Sequence, residues 1–304
     1  DELVLNAGET YQGSFVLPYK EGADYITIRS SRWADLPPAG RRAGPEHAAL
    51  MPKLIPANNS TAAVRVGEAE RDLGGAVNFT NDTITMSGWP YWNYGYNEGN
   101  RNSCRVFGGA LPGGMTPNTP YYMRDKSGNT FKVAMSPSGA TIDLLDPGTA
   151  VGMRCTLVDN GHHYRLQGLE ITTIDGDPTL YNLVEMGTGT ENSYEAVPHH
   201  IELDRVYVHG RYGQNGPRIC VFLNASFSTI RDSYIADCAQ AGYESKGIAL
   251  LQSPGPLDIV NNYIHGGSIN LLIGGGRPRV EGLINGDRGR IAITRNYFHS
   301  PMRY

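Results

Sequence analysis

The strongest constraint on this chain is a short phrase that returns five times in its last half. It reads Leu166-Gln-Gly-Leu-Glu-Ile171, Leu203-Asp-Arg-Val-Tyr-Val208, Ile230-Arg-Asp-Ser-Tyr-Ile235, Ile259-Val-Asn-Asn-Tyr-Ile264 and Ile293-Thr-Arg-Asn-Tyr-Phe298. The leading aliphatic residues are 37, 27, 29 and 34 positions apart. Self-similarity at such a period marks a solenoid, in which each turn buries its apolar face only against its neighbours. Between the phrases lie further apolar runs: Leu183-Val-Glu-Met186, Ile219-Cys-Val-Phe-Leu223, Gly247-Ile-Ala-Leu-Leu251 and Ile269-Asn-Leu-Leu-Ile273. Several short strands per turn, joined by glycine and asparagine corners, are the size of a parallel β-helix coil. No Leu-x-x-Leu-x-Leu frame appears, which excludes leucine-rich repeats, and no Trp-Asp signature supports WD40 blades. The pairs Asn261-Asn262 and Arg295-Asn296 fall where the chain must turn, and asparagine there tolerates left-handed backbone and can form ladders.

Composition agrees. The 38 glycines and 19 prolines punctuate many short segments, as an all-β chain requires. A net charge of −4 gives no basic footprint, which argues against nucleic acid as a partner. No apolar run approaches the roughly 20 residues that span a bilayer. The chain begins at Asp1 rather than Met and ends at Tyr304 directly after a strand phrase. The expectation is a processed piece of a longer protein, truncated before its C-terminal cap, or one whose solenoid ends associate with another copy, because open ends expose core and ladder groups.

The sequence divides into first coils and a loop over 1–74, a module over 75–152 that breaks the pattern, and further coils over 153–304. The stretch from Ser31 to Pro56 reads as a long loop with one helical turn near Glu46 to Met51. Within the module, Asn78 to Met86 is strand-like, Trp89 to Tyr96 is an aromatic cluster, and Lys126-Ser-Gly128 signals a hairpin. The strings Gly109-Ala-Leu-Pro, Thr119-Pro-Tyr-Tyr, Gly128-Asn-Thr-Phe and Gly139-Ala-Thr-Ile-Asp143 resemble a small all-β module of bacterial and phage surface proteins. That resemblance implies an accessory antiparallel domain. Four cysteines, Cys104, Cys155, Cys220 and Cys238, allow three disulfide pairings, or buried thiols, and form no CxxC.

The phrases Ile259-Val-Asn-Asn-Tyr-Ile264 and Ile293-Thr-Arg-Asn-Tyr-Phe298 resemble right-handed parallel β-helix proteins of the pectate-lyase-like superfamily, over about 1–72 and 153–304. The resemblance implies an all-β, right-handed parallel β-helix and a polysaccharide partner. Enzymes of this kind are polysaccharide lyases or glycoside hydrolases. The frame of Gly247 to Tyr263 is similar to the branch that eliminates with a Lys/Arg pair, but the lysine slot holds Leu251 or Gln252 and the arginine slot Ile273. Lys246 precedes its slot by several residues.

Several residues carry the functional reading. Lys246, His209 and Arg277 are the catalytic candidates, offering a base and cations for a uronate. Arg211, Tyr212, Arg218 and Arg279 lie in polar loops with donors suited to sugar hydroxyls and carboxylates, and Trp89 and Trp92 offer stacking rings. Asp175 and Asp177, in a Gly-rich loop, suggest calcium. The pairs His162-His163 and His199-His200 each precede a phrase. Neighbours on a strand face opposite ways, so only one ring of each pair is expected to reach a given site. The sequence therefore predicts a secreted or surface-exposed protein that binds a uronate-type polysaccharide along the solenoid and leaves cleavage open. The alternative is a non-catalytic structural or adhesive protein.

Overall fold

The computed structural model describes all residues except 19, 21, 67–70, 73–76, 81, 87–101, 108, 117, 118, 120, 128, 129, 137, 138, 150, 151, 158–160, 176–179, 190, 192–196, 214, 277–279, 281–288 and 301–304. The chain forms two units, Asp1–Gly67 with Asn160–Tyr304, and Glu68–Asp159.

The first unit is a right-handed parallel β-helix of three sheets. Sheet A stacks Glu2–Leu5, Ile26–Ser30, His162–Gln167, His199–Asp204, Ser228–Arg231, Leu257–Val260 and Ile291–Thr294. Sheet B stacks Thr10–Gln12, Lys53–Ile55, Glu170–Ile171, Tyr207–His209, Tyr234–Cys238, Tyr263–Gly266 and Tyr297–Phe298. Sheet C stacks Phe15–Leu17, Val64–Val66, Asn182–Met186, Ile219–Leu223, Lys246–Leu250 and Ile269–Ile273. Each repeated phrase is therefore the end of an A strand, a corner, and the start of a B strand.

The aliphatic anchors lie directly over one another. In sheet A the column is Ile28, Leu166, Leu203, Ile230, Ile259 and Ile293. In sheet B it is Leu54, Ile171, Val208, Ile235 and Ile264. In sheet C it is Val64, Val184, Val221, Ile248 and Leu271. Leu203, Val208 and Val221 are fully buried. Burying a side chain of that size stabilises the coil by about 2 kcal/mol.

The corner between sheets A and B explains the rest of the phrase. Its third residue has positive φ in every copy: Gly168 (61°), Arg205 (51°), Asp232 (53°), Asn261 (53°) and Arg295 (58°). Its fourth residue is the buried Leu169 or Val206 in the first two copies and builds a ladder in the last three, as Ser233, Asn262 and Asn296. Ser233 Oγ accepts from Val206 N at 3.0 Å, Asn262 Oδ1 accepts from Ser233 N at 3.0 Å, and Asn296 Oδ1 accepts from Asn262 N at 2.8 Å. Asn262 Nδ2 also donates to Ile230 O at 2.8 Å. The two residues of each asparagine pair thus divide the work, one turning the backbone and one satisfying it.

The segment expected as a loop over 31–56 contains 3₁₀ turns at Trp33–Asp35 and Pro45–Leu50, and its end forms the B strand Lys53–Ile55. Three residues are too few for a period to show in sequence. The segment straps the A–B corners. Arg42 donates to Asn261 O and Arg295 O, Gly40 N to Asp232 Oδ2, and Arg205 to Pro37 O.

The second unit is one sheet in the order Arg71–Asp72, Gly152–Leu157, Asn102–Phe107, Tyr121–Ser127, Thr130–Ala134, Thr83–Met86 and Val77–Thr80, with antiparallel pairing. Ile84, Tyr121, Phe131, Val133 and Ala134 are buried among its described residues. The hairpin read from Lys126-Ser-Gly128 joins Tyr121–Ser127 to Thr130–Ala134. The unit's limits lie outside 75 and 152 because Arg71–Asp72 pairs with Gly152–Leu157.

Candidate functional site

The corner between sheets B and C differs from the A–B corner in length. It spans 172–181, 210–218, 239–245 and 267–268 in successive coils, or ten, nine, seven and two residues. Where long corners give way to the two-residue one, an open groove of about 600 Å³ forms. It is lined by Tyr212, Asn215, Gln240, Tyr243, Ser245 and Ser268, with small residues between them. Tyr212 and Tyr243 are 59% and 60% exposed. Large rings held in water within a concave surface are a common way to present a stacking face to a ligand.

The groove is braced. Asn215 Oδ1 accepts from Ala241 N, Ser245 Oγ from Gln240 N and Ser268 Oγ from Ser245 N, each at 2.7 Å. A disulfide joins Cys220 to Cys238, tying the strand that leaves one corner to the strand that enters the next. This is a pairing the sequence allowed, and Cys238 immediately precedes Ala239 on the groove lining. In the second unit Cys104 and Cys155 are register partners on neighbouring strands.

Of the cations and bases that the sequence singled out, Arg218 and Lys246 meet beside the groove. Arg218 Nε and Lys246 Nζ both donate to Glu244 O, at 3.1 and 3.0 Å. Lys246 is buried and its Nζ also lies 3.3 Å from Glu244 Oε2. The Arg218 guanidinium sits between two exposed rings, 4.8 Å from the centre of Tyr181 and 5.0 Å from that of Tyr243. His209 faces elsewhere. Its Nε2 is 3.0 Å from Glu170 Oε1 on the outer side of sheet B, beneath the Tyr207 ring at 3.9 Å. Lys53 Nζ reaches the same carboxylate at 3.2 Å. Burial would raise the Glu170 pKa, but the His209 and Lys53 contacts outweigh it and hold the carboxyl below its ordinary value. Burial, with the charges of Asp237, Glu170 and Glu46, pushes the Tyr207 phenol far upward, so it stays protonated.

Arg211 pairs with the exposed Asp175 and donates to Thr173 O at 3.2 Å. Arg277, Arg279, Trp89, Trp92 and Asp177 lie outside the described residues. Sequence reasoning missed Tyr181, Tyr243, Asn215, Gln240, Ser245 and Ser268. The available signal was an aromatic in a glycine-flanked corner, Gly242-Tyr-Glu-Ser245, beside the polar loop already noted.

One expectation about histidine is overturned. Both rings of each adjacent pair lie together, with Nδ1 atoms 2.8 Å apart in His162 and His163 and 2.7 Å apart in His199 and His200. The cause is positive φ at His163 (58°) and His200 (56°), which breaks the alternation of an extended strand. Among the described residues, His162, His163 and His199 bring three ligand atoms within 4.8 Å of one another.

No family model matches the sequence, and no curated protein matches it. Solved structures that match the chain include three phage tailspikes. The Gp54 tailspike of Acinetobacter baumannii bacteriophage AP22, solved in complex with A. baumannii capsular saccharide, is 9% identical, with 98% of this chain covering 41% of that one at a TM-score of 0.33. The tailspike protein gp49 of Pseudomonas phage LKA1 is 13% identical, with 90% of this chain covering 39% of that one at 0.29. The Pseudomonas phage phi297 tailspike gp61 is 10% identical, with 86% covering 42% at 0.21. This chain thus spans about two fifths of the length of each. The strand registers establish the parallel β-helix fold that the sequence implied. No helix among the described residues is long and apolar enough to cross a membrane.

Proposed function

We propose that this chain binds a polysaccharide in the B–C corner groove, outside the cell. The observation that carries the reading is the pair of exposed rings, Tyr212 and Tyr243, over a floor of fixed amide and hydroxyl groups. Sugar rings offer apolar faces for stacking and hydroxyls for hydrogen bonds, and this surface supplies both partners. Arg218, held between Tyr181 and Tyr243, adds a cation at the rim and favours a glycan that carries carboxylates. The Cys220–Cys238 disulfide suits an oxidising compartment.

The reading is binding rather than cleavage. The ionisable groups on the lining are the two phenols. The Lys246 ammonium is buried against Glu244, and the His209 imidazole is engaged by Glu170. Titration calorimetry against a panel of uronate-containing and neutral oligosaccharides tests the reading. A uronate oligomer is expected to bind, Tyr243→Ala to weaken it about tenfold, and unsaturated products to be absent. Binding that is indifferent to both Tyr212→Ala and Tyr243→Ala would move the site elsewhere.

A further inference from the structure

The stacked histidines form a second site, independent of the groove. His162 and His199 are register partners on neighbouring A strands. Their rings lie 4.8 Å apart at 3°, and those of His163 and His200 lie 4.3 Å apart at 7°. Aromatic rings close the outer row, Tyr25 edge-on to His163 at 5.1 Å and Phe227 stacked on His200 at 5.0 Å. Four imidazoles thus gather in two coils, each pair with Nδ1 facing Nδ1.

Two imidazole nitrogens in such a contact share one proton, so one donates and the other accepts. Nitrogens bound to one ion at about 2.0–2.1 Å stand about 2.9 Å apart at right angles and about 3.4 Å apart in a tetrahedron. The spacings of 2.8 and 2.7 Å within the pairs are close to the first of these. Rotation about χ2 tilts the stacked rings so that their lone pairs converge. The neutral imidazole is the form that ligates. Ser226, which bridges to His199 from the next coil, has a fully buried Oγ without a hydrogen-bond partner.

We propose that His162, His163 and His199 bind one late first-row divalent ion, zinc, nickel or copper, the metals imidazole suits. Each donating ring moves its Nδ1 proton to Nε2, so binding at neutral pH releases no net proton. The test titrates the chelator-treated full chain at pH 7.5 with zinc, nickel and copper chlorides in turn, by calorimetry and thermal melting. One saturable equivalent and a raised Tm are expected, with nitrogen hyperfine structure in the copper spectrum. H163F/H200F keeps the stack, since Phe227 holds the same backbone conformation at φ 46°. It is expected to melt like the metal-free parent and to lose more affinity than the roughly 10–100-fold that removing an outer partner costs. Should that variant fail to fold, H199N is expected to show the same loss. No saturable binding below about 1 mM, or equal affinity in parent and variant, overturns the site.

Discussion

The two kinds of corner in this solenoid have opposite designs. The A–B corner repeats one device: a residue at positive φ in each of the last five coils, followed in the last three by a serine or asparagine that bonds the preceding rung. The 31–51 segment straps it from outside. The B–C corner grows from two residues in the first coil to ten and shortens again to two, and follows no common pattern. A uniform corner keeps the coils in register and leaves no step in the surface. A corner that changes length makes a step, and the step is the groove. Stability and recognition are thereby assigned to different corners of the same coil, as loops on a rigid scaffold allow.

Substitutions that separate these roles test the comparison. The largest effect belongs to the uniform corner. Asn262→Ala strips the partners from Ser233 N and Ile230 O inside the core. At about 2 kcal/mol for each buried group left unsatisfied, roughly 4 kcal/mol of stability is lost. Denaturant unfolding reads that loss, and glycan affinity measured well below the midpoint is expected to stay unchanged. A loss under about 1 kcal/mol would mean the ladder is incidental.

Breaking the disulfide comes next. C220A/C238A removes a cross-link over an 18-residue separation, worth about 3 kcal/mol. Here stability and affinity should fall together, because the disulfide braces the variable corner. Affinity that survives intact would show that the loops hold their shape unaided.

Acid supplies a distributed effect. His163 and His199 have folded pKa values of about 4 and about 3, below the ordinary 6.5. The unfolded chain therefore binds protons before the folded one does. Stability is fully present above about pH 6.5 and declines as pH falls toward 4 and then 3. The melting temperature followed over that range should drop, and H163F/H200F should drop less. Equal slopes would remove the histidine stack as the cause.

The smallest effect on stability is expected from Tyr243→Ala, within about 0.5 kcal/mol, since the ring is mostly exposed. A large loss there would make Tyr243 part of the scaffold rather than of the site.

The uniform corner was legible in sequence and the variable one was not. Leu203, Ile230 and Ile259 recur because each must lie over the last, so a period is forced on the chain. Asn261-Asn262 announced a turn and a ladder for the same reason. Nothing forces Tyr212 and Tyr243 into correspondence, and neither occupies a repeating position. Arg218 and Lys246 were visible as polar residues near strand starts, but their meeting at Glu244 depends on two corners of unequal length. The histidine pairs were misread for a local reason. Alternation holds for extended backbone, and positive φ at His163 and His200 is a backbone state that histidine does not announce.

Hydrogen exchange of the full chain, with and without a bound uronate oligosaccharide, addresses the division of labour most directly. Protection confined to 210–218, 239–245 and 267–268, with the A–B corners unchanged, is the predicted footprint. Protection spread along the outer face of sheet B, or at the strapped corners, would contradict it.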